Sequence, residues 1–338
     1  MKNLFDYATK ELTQDAFLRW LFENHDDREL GELAHELLKQ FCEFSNDEKV
    51  KTLSSSSQEH KIDLSFRIET TAGRNIAIFI EDKTFSNEHN QLTLYDEYIE
   101  SLKDKFNYVY KIYYKTNLLN DLDQNGLKEA NNKNLINWKP FDIDKIVSLF
   151  EKYANSKNQI LSQYAQYVKS IRDLLHSTQK PKDSANKKDL LAWQAYFNNK
   201  IIPSLQGNRI QYTCGVWRAG QYPYMCFVIT KRGYGVRRVP YLEIRSRDCS
   251  DNRFQARILC YGVSDEDLAS QQQKLIDNIK QIDEFVCKGL VQSHKGKTIF
   301  PKQVGYSEIK TDVETDKQFL SLVEKYISLY LQAMRDWT

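Results

Sequence analysis

The stretch Ile76-Ala77-Ile78-Phe79-Ile80-Glu81-Asp82-Lys83 decides the fold of the first half of the chain. A run of consecutive apolar residues, as from Ile76 to Ile80, is typical of a strand buried on both faces near the middle of a sheet. In a strand, Glu81 and Lys83 project from the same face because side chains alternate. The stretch therefore predicts a central strand that ends in an acid beside a base, where we expect it to meet solvent.

An alternating segment precedes this strand. From Ile62 to Ile68, apolar residues alternate with polar ones, which predicts a second strand carrying Asp63. A turn containing Gly73 joins the two strands, so we expect them to pair in antiparallel fashion. Asp63 and Glu81 are then predicted to lie on neighbouring strands.

The elements further out complete a first domain, residues 1–176. Apolar residues at helical spacing predict helices from about Thr13 and from about Glu29. A strand-like segment then begins at Val50, before the two strands described above. Another helix is predicted around residues 92–102, followed by a strand, Tyr108–Tyr114, and by two helices that end near His176. The order of helix, three strands, helix and strand predicts an α/β core with a mixed sheet.

Residues 177–188 are rich in lysine and are predicted to be a linker. The remaining residues, 189–338, are predicted to form a second, smaller α+β domain. Its predicted elements are a helix near Leu190–Leu205, strands around 210, 224–230, 241–245 and 254–260, and long helices at about 265–288 and 316–337. The two halves share no visible internal repeat.

Composition narrows the possible classes of function. The 338 residues suit two domains, and 48 Lys and Arg against 46 Asp and Glu leave a formal net charge of +2. Attraction to an anionic partner must therefore come from local clusters of charge. The six cysteines form no C-x-x-C pair, so a structural zinc site is not indicated and we expect reduced thiols. No leader or membrane-length apolar run is visible, which predicts a cytoplasmic protein without a membrane partner.

The candidate chemistry lies in Asp63, Glu81 and Lys83. Carboxylates on two neighbouring strands can bind a hard divalent cation, and a lysine beside them can approach a bound water or phosphate. This set predicts the hydrolysis of a phosphodiester. The plainer alternative is that Glu81 and Lys83 mark the solvated end of a strand and that Asp63 faces outward. No phosphate-binding glycine loop or serine nucleophile motif is present.

The set resembles the active site of the PD-(D/E)xK nuclease superfamily. Asp63 is followed by Ile80-Glu81-Asp82-Lys83 at the end of an apolar strand, although Ile62 stands where the superfamily name has proline. The segment Glu11-Leu12-Thr13-Gln14-Asp15-Ala16-Phe17 resembles a branch of uncharacterised or defence-associated bacterial members. That branch has a glutamine and a tyrosine on the next helix, matched by Gln91 and Tyr95. The resemblance covers about the first half of the chain.

The resemblance implies a restriction-endonuclease-like core and a Mg²⁺ or Mn²⁺ cofactor. Asp63 and Glu81 would bind the cation, with the main-chain carbonyl of Asp82 as a further ligand, and Lys83 would orient the attacking water. Glu11 would be an additional or water-mediated ligand, but an acid at the start of a helix also has a favourable interaction with the helix dipole. Gln91 would bind a phosphate or a metal-bound water, or be an ordinary surface residue.

The second half offers a candidate nucleic-acid surface. Residues 209–257 contain ten basic residues against three acids, with aromatic residues among them. Such a mixture suits phosphate contacts and base stacking. The segment Lys231–Arg238 resembles a phosphate-binding loop, with Lys231, Arg232, Arg237 and Arg238 as the expected contacts. The alternative is that these arginines merely occupy the polar face of strands.

The expected partner is a nucleic acid, with DNA favoured and RNA left open. A catalytically silent nuclease fold that only binds nucleic acid is the main alternative to an enzyme. A homo-oligomer, or a subunit that binds another protein of a bacterial defence system, also remains open. Loss of activity usually shows as a missing acid or lysine, and the presence of Asp63, Glu81 and Lys83 favours the enzyme.

Overall fold

A computed structural model describes residues 3–6, 11–84, 91–119, 121–133, 136–179, 181, 187–205, 212–219, 222–229, 240–248, 253–259, 266–287, 291–292, 298–299, 303–309 and 315–336. The chain divides into two compact units, Met1–Asp173 and Leu174–Thr338. Residues 180 and 182–186 of the predicted linker lie outside the described residues.

The first unit contains strands and helices in the α/β order. The strands are β1 (Val50–Glu59), β2 (Ile62–Thr70), β3 (Asn75–Lys83), β4 (Tyr108–Lys115) and β5 (Trp138–Phe141). The helices are α1 (Glu11–Glu23), α2 (Arg28–Cys42), α3 (Gln91–Ser101), α4 (Asp121–Lys133), α5 (Ile143–Phe150) and α6 (Gln159–Leu175). Short 3-10 turns occur at Leu4–Asp6, Lys103–Lys105 and Glu151–Tyr153.

The strands of the first unit form one mixed sheet in the order β1-β2-β3-β4-β5. The pairs β1–β2 and β2–β3 are antiparallel, whereas β3–β4 and β4–β5 are parallel. Strand β3 is therefore the central strand, which its apolar run predicts. The predicted mixed α/β fold of the first half is confirmed at this level.

Helices cover both faces of this sheet. On one face, Phe22 of α1 packs on Phe66 of β2 with ring centroids 4.7 Å apart, and Phe41 of α2 packs on Phe141 of β5 at 5.0 Å. On the other face, Phe79 of β3 belongs to a buried cluster that includes side chains of α3 and α4. The result is a three-layer α/β/α unit, which buries β3 on both sides.

Helix α2 illustrates how the sequence fixes these elements. Asp27 caps its first turn, because its side chain accepts hydrogen bonds from the backbone N–H groups of Glu29 and Leu30. Its apolar residues recur at helical spacing and are buried. A Cβ on Gly31 would lie 2.2 Å from the carbonyl oxygen of His25, so glycine allows the chain to cross there.

The second unit contains a second sheet. Strands β6 (Tyr212–Ala219), β7 (Tyr222–Ile229), β8 (Tyr241–Asp248), β9 (Arg253–Leu259), β10 (Val286–Cys287) and β13 (Gln303–Ile309) form an antiparallel sheet in the order β10-β13-β9-β8-β7-β6. Strands β11 (Val291–Gln292) and β12 (Thr298–Ile299) pair separately. The helices are α7 (Lys187–Tyr196), α8 (Ile202–Leu205), α9 (Glu266–Lys280) and α10 (Asp316–Ala333), with a π-helical turn, Phe197–Ile201, before α8.

This sheet and its helices share one aromatic core. Phe319 of α10 lies 4.7 Å from Phe254 of β9 and 5.6 Å from Phe197, measured between ring centroids. Helix α10 begins with a capping box, in which Thr315 and Gln318 satisfy each other's backbone N–H groups. The second unit therefore has a hydrophobic core of its own.

Several elements differ from the sequence-based prediction. Strand β1 continues through the serine tract to Glu59, because this edge strand needs few apolar residues. Helix α4 and strands β5 and β13 were not predicted. The helix expected at 265–288 ends at Lys280, and β10 begins at Val286. In the part of the chain that the structure describes, no helix is long and apolar enough to cross a membrane.

Candidate active site

Asp63 and Glu81 lie side by side on neighbouring strands. In the antiparallel pair β2–β3, Leu64 is opposite Ile80, and the same register one residue further brings Asp63 opposite Glu81. Lys83 follows on β3 and projects from the same face as Glu81. The structure thus brings together the three residues on which the sequence argument depends.

Hydrogen bonds hold both oxygens of the Asp63 carboxylate. The backbone N–H of Asp82 donates to Oδ2 at 2.9 Å, and the side-chain amide of Gln58 donates to Oδ1 at 3.1 Å. Asp63 is only half-buried. Its carboxylate therefore has a fixed orientation at the edge of the buried region.

Glu81 and Lys83 form a buried ion pair. The Lys83 Nζ donates to Oε1 of Glu81 at 2.5 Å, and their side chains are only 7% and 1% exposed, with Lys83 the more exposed of the two. The expectation that this end of β3 meets solvent is therefore wrong. Strand β4 continues beside β3 past the apolar run as far as Lys83, and both charged side chains are buried there.

Burial and repulsion both act on Glu81. Burial is the larger cause and the negative charge of Asp63 the next, and together they outweigh the attraction of Lys83 and raise the pKa of Glu81 to about 8. The second oxygen of Glu81, Oε2, is buried and accepts no hydrogen bond from the described residues. When both carboxyl groups are ionised and no cation is bound, they repel each other.

A divalent cation fits this set of donors. Hard cations prefer carboxylate oxygens, and a positive charge between Asp63 and Glu81 would remove the repulsion that raises the Glu81 pKa. Among the described side chains, no group of three or more His, Cys, Asp or Glu residues is arranged to hold a metal ion. The side chains of Asp63 and Glu81 would therefore need main-chain oxygens or waters to complete the coordination.

Asp82 contributes differently from its two neighbours. Its side chain alternates to the opposite face of β3, where it is fully buried. Burial is the main cause of the raised pKa values of Tyr114 and Tyr164 on that face, and the negative charge of Asp82 adds to it. Only the main chain of Asp82 can thus act beside Asp63 and Glu81, and the metal-ligand role of its carbonyl stays a prediction.

The other two predicted residues each begin a helix of the first unit. Glu11 is the first residue of α1, which packs against β3, and its side chain lies outside the described residues. Gln91 is the first residue of α3, and its amide makes a long hydrogen bond, 3.5 Å, to the hydroxyl of Tyr95. Tyr95 is itself buried in the cluster beneath α3. The roles of Glu11 and Gln91 remain predictions.

A second group of polar residues on β4 was missed from the sequence. Tyr113 is in register with Glu81, and Lys115 is in register with Lys83. Both bind Asp123 of α4: the Tyr113 hydroxyl donates to Oδ1 at 2.7 Å, and the Lys115 ammonium lies 3.0 Å from Oδ2. Polar residues alternating in the tyrosine-rich strand were the available signal.

The candidate nucleic-acid segment, Lys231–Arg238, lies outside the described residues, so Lys231, Arg232, Arg237 and Arg238 stay predictions. One correction applies to the wider basic region. Arg257 on β9 is paired with Glu243 on β8 at 3.3 Å, and both side chains are largely buried. This arginine neutralises an acid within the sheet and should not be counted toward a basic surface.

No protein-family model matches the chain, and neither a curated protein nor a solved structure does. The functional interpretation therefore depends on the geometry of Asp63, Glu81 and Lys83 and on the sequence motifs around them.

Proposed function

We propose that this protein is a Mg²⁺- or Mn²⁺-dependent nuclease that hydrolyses phosphodiester bonds, with DNA as the expected substrate. The observation that carries the proposal is the placement of the Asp63 carboxylate opposite the buried Glu81, whose pKa is raised to about 8 partly by the charge of Asp63. Two adjacent carboxylates that repel each other are costly to keep, and binding a cation is a common reason to keep them.

The resemblance to the PD-(D/E)xK superfamily supports a phosphodiester as the substrate. A meander of three strands, then a helix and a parallel fourth strand, is consistent with the restriction-endonuclease-like core that the resemblance implies. A bound Mg²⁺ would supply Lewis-acid activation of the phosphate and of water. Asp63 and Glu81 would hold it, and Lys83 would orient the water and offset the negative charge of the phosphate.

Three variants test these roles with plasmid, linear duplex, single-stranded DNA and RNA as substrates, in Mg²⁺, Mn²⁺ or EDTA. Asp63→Asn and Glu81→Gln remove a negative oxygen ligand, so both should lose cleavage and should bind Mn²⁺ more weakly in calorimetry. Lys83→Met should cut the rate on the order of 10²- to 10³-fold while Mn²⁺ binding is largely retained. Glu97→Gln, at an exposed position on α3, is the matched control and should behave as wild type.

The outcomes separate the alternatives. Cleavage that needs a metal and is lost in Asp63→Asn supports the nuclease, and the preferred substrate decides between DNA and RNA. Wild-type Mn²⁺ affinity in Glu81→Gln, or a wild-type rate in Lys83→Met, would refute the assigned roles. Nucleic-acid binding without cleavage under every metal condition would instead favour the silent binding fold.

A further inference from the structure

The hairpin between β1 and β2 has an unusual backbone. It turns through His60 and Lys61, which have φ angles of 50° and 72°, and Gln58, just before the turn, has a φ of 58°. Residues other than glycine rarely adopt these left-handed angles. Asparagine, aspartate and histidine do so more often than the rest, so the strain is greatest at Gln58 and Lys61. Two-residue turns of this kind usually contain asparagine and glycine. Such strain persists only where surrounding contacts enforce it, and it is concentrated at functional sites.

Those contacts are present around Glu59. Its carboxylate accepts hydrogen bonds from Ser65 at 2.6 Å, from Arg67 at 2.5 Å and from the hydroxyl of Tyr98 on α3. The ring of His60 also stacks on Tyr98, with ring centroids 3.7 Å apart and planes inclined by 23°. The hairpin is thereby tied both to its own sheet and to α3.

This arrangement places the Gln58 side chain at Asp63. Residues on either side of Gln58 pair with β2, Ser57 with Leu64 and Glu59 with Ile62, so Gln58 lies opposite Asp63. Its side-chain amide donates to Oδ1 of Asp63 at 3.1 Å. Asp63 thus lies between a hydrogen-bond donor on β1 and the carboxyl group of Glu81 on β3.

We propose that Gln58 is a positioning residue, which holds the Asp63 carboxylate in place beside Glu81 and so preorganises the cation site. The strained backbone of the hairpin Gln58–Lys61 places the side-chain amide of Gln58 next to Asp63. Hydrogen bonds to ligating carboxylates commonly contribute about 10- to 100-fold to metal affinity. The inference rests on the proposed metal-dependent function of Asp63 and Glu81.

The test is Mn²⁺ affinity, measured by calorimetry on the full-length protein. Gln58→Met keeps the length of the side chain and removes its donor, so we expect affinity to fall about 10- to 100-fold. Lys61→Met is the matched control, because Lys61 is exposed and lies in the same strained turn. Its affinity should equal that of wild type.

A second variant separates positioning from a merely structural role. Gln58→Gly removes the amide but is free of left-handed strain, so the metal-free protein should melt at the same or a higher temperature while its Mn²⁺ affinity falls as in Gln58→Met. A positioning role also predicts a higher Mn²⁺ concentration for half-maximal cleavage, with an unchanged KM for the nucleic acid.

Each outcome is decisive. Wild-type Mn²⁺ affinity in Gln58→Met or Gln58→Gly overturns this inference and leaves the proposed function intact, provided that Asp63→Asn still loses the cation. An equal loss in Lys61→Met also overturns it, because the effect would then belong to the turn as a whole. If Asp63→Asn binds Mn²⁺ as wild type does, the proposed function itself has failed.

Discussion

Burial makes the environment of Glu81 unfavourable to its negative charge. Since its pKa rises to about 8, the folded protein holds a proton that the unfolded chain releases above pH 4.5. Stability of the metal-free protein should therefore fall as the pH rises from about 4.5 to about 8. Glutamine reproduces the protonated form, so Glu81→Gln should be more stable than wild type at pH 7, by about 1–3 kcal/mol.

Urea unfolding in EDTA at pH 5, 7 and 8 measures this difference. The advantage of Glu81→Gln should grow with pH, whereas the exposed Glu97→Gln should show no such trend. A constant difference across the three pH values would contradict the raised pKa of Glu81.

At the scale of single residues, strand alternation was enough to predict Asp63, Glu81 and Lys83 as neighbours, because the period of a strand fixes which side chains share a face. The burial of Glu81 and Lys83 was not predictable from the local pattern, since charged residues after an apolar run usually meet solvent. The contact between Gln58 and Asp63 could not be predicted from the sequence either, because it depends on left-handed backbone angles at a turn without glycine or asparagine.

At the scale of elements, the hairpin between β1 and β2 depends on Glu59. Burial alone would raise the pKa of this carboxyl, but hydrogen bonds from Arg67, Ser65 and Tyr98 outweigh it and lower the pKa to about 2. The resulting stabilisation is present above about pH 4.5, the unfolded value, and is lost as the pH falls through 2. Glu59→Gln should therefore cost about 2 kcal/mol at pH 7, since the side chain is only 20% exposed.

Urea unfolding between pH 3 and pH 7 checks this expectation. The cost of Glu59→Gln should be constant above pH 5 and shrink below it. The control is Glu69→Gln on β2, whose partner Lys51 is exposed, and it should have little effect. An equal cost at pH 3 and pH 7 would show that the hydrogen bonds do not depend on the charge of Glu59.

The elements that the sequence predicted are those with a strong apolar period. Strands β3 and β4 and helices α1 and α2 belong to this group. Helix α4 was missed because its sequence is mostly polar, Asp-Leu-Asp-Gln-Asn-Gly-Leu-Lys-Glu-Ala-Asn-Asn-Lys. Among its described side chains, those that are buried are Asp123, Leu127 and Ala130. Strand β5 has four residues and a proline, too few for a periodic signal. Tertiary pairing with β4, rather than propensity, makes it a strand.

At the scale of the whole molecule, the proposed chemistry and the expected nucleic-acid contacts fall in different units. Asp63, Glu81 and Lys83 belong to Met1–Asp173, whereas the segment Lys231–Arg238 belongs to Leu174–Thr338. Each unit has a hydrophobic core of its own. Metal binding and nucleic-acid affinity should therefore respond to different substitutions.

Nucleic-acid affinity should come from local phosphate contacts rather than from overall charge. The net charge of +2 is too small to attract a polyanion by itself, so a clustered segment must supply the affinity. Replacing Arg232, Arg237 and Arg238 together by alanine should weaken duplex binding to a similar degree across unrelated sequences. The slope of log affinity against log salt should fall by about 0.9 for each phosphate that is no longer bound. Mn²⁺ affinity should not change.

A matched triple variant removes the same charge from elsewhere in the second unit. Lys274, Lys280 and Lys317 are exposed on α9 and α10, and their replacement by alanine also takes the net charge from +2 to −1. If the arginines touch phosphates directly, only the arginine variant flattens the salt slope, because counterion release requires that each cation neutralise a phosphate. Equal effects of the two variants would mean that binding responds to net charge alone, and an unchanged slope in both would remove the segment 231–238 from the nucleic-acid interface.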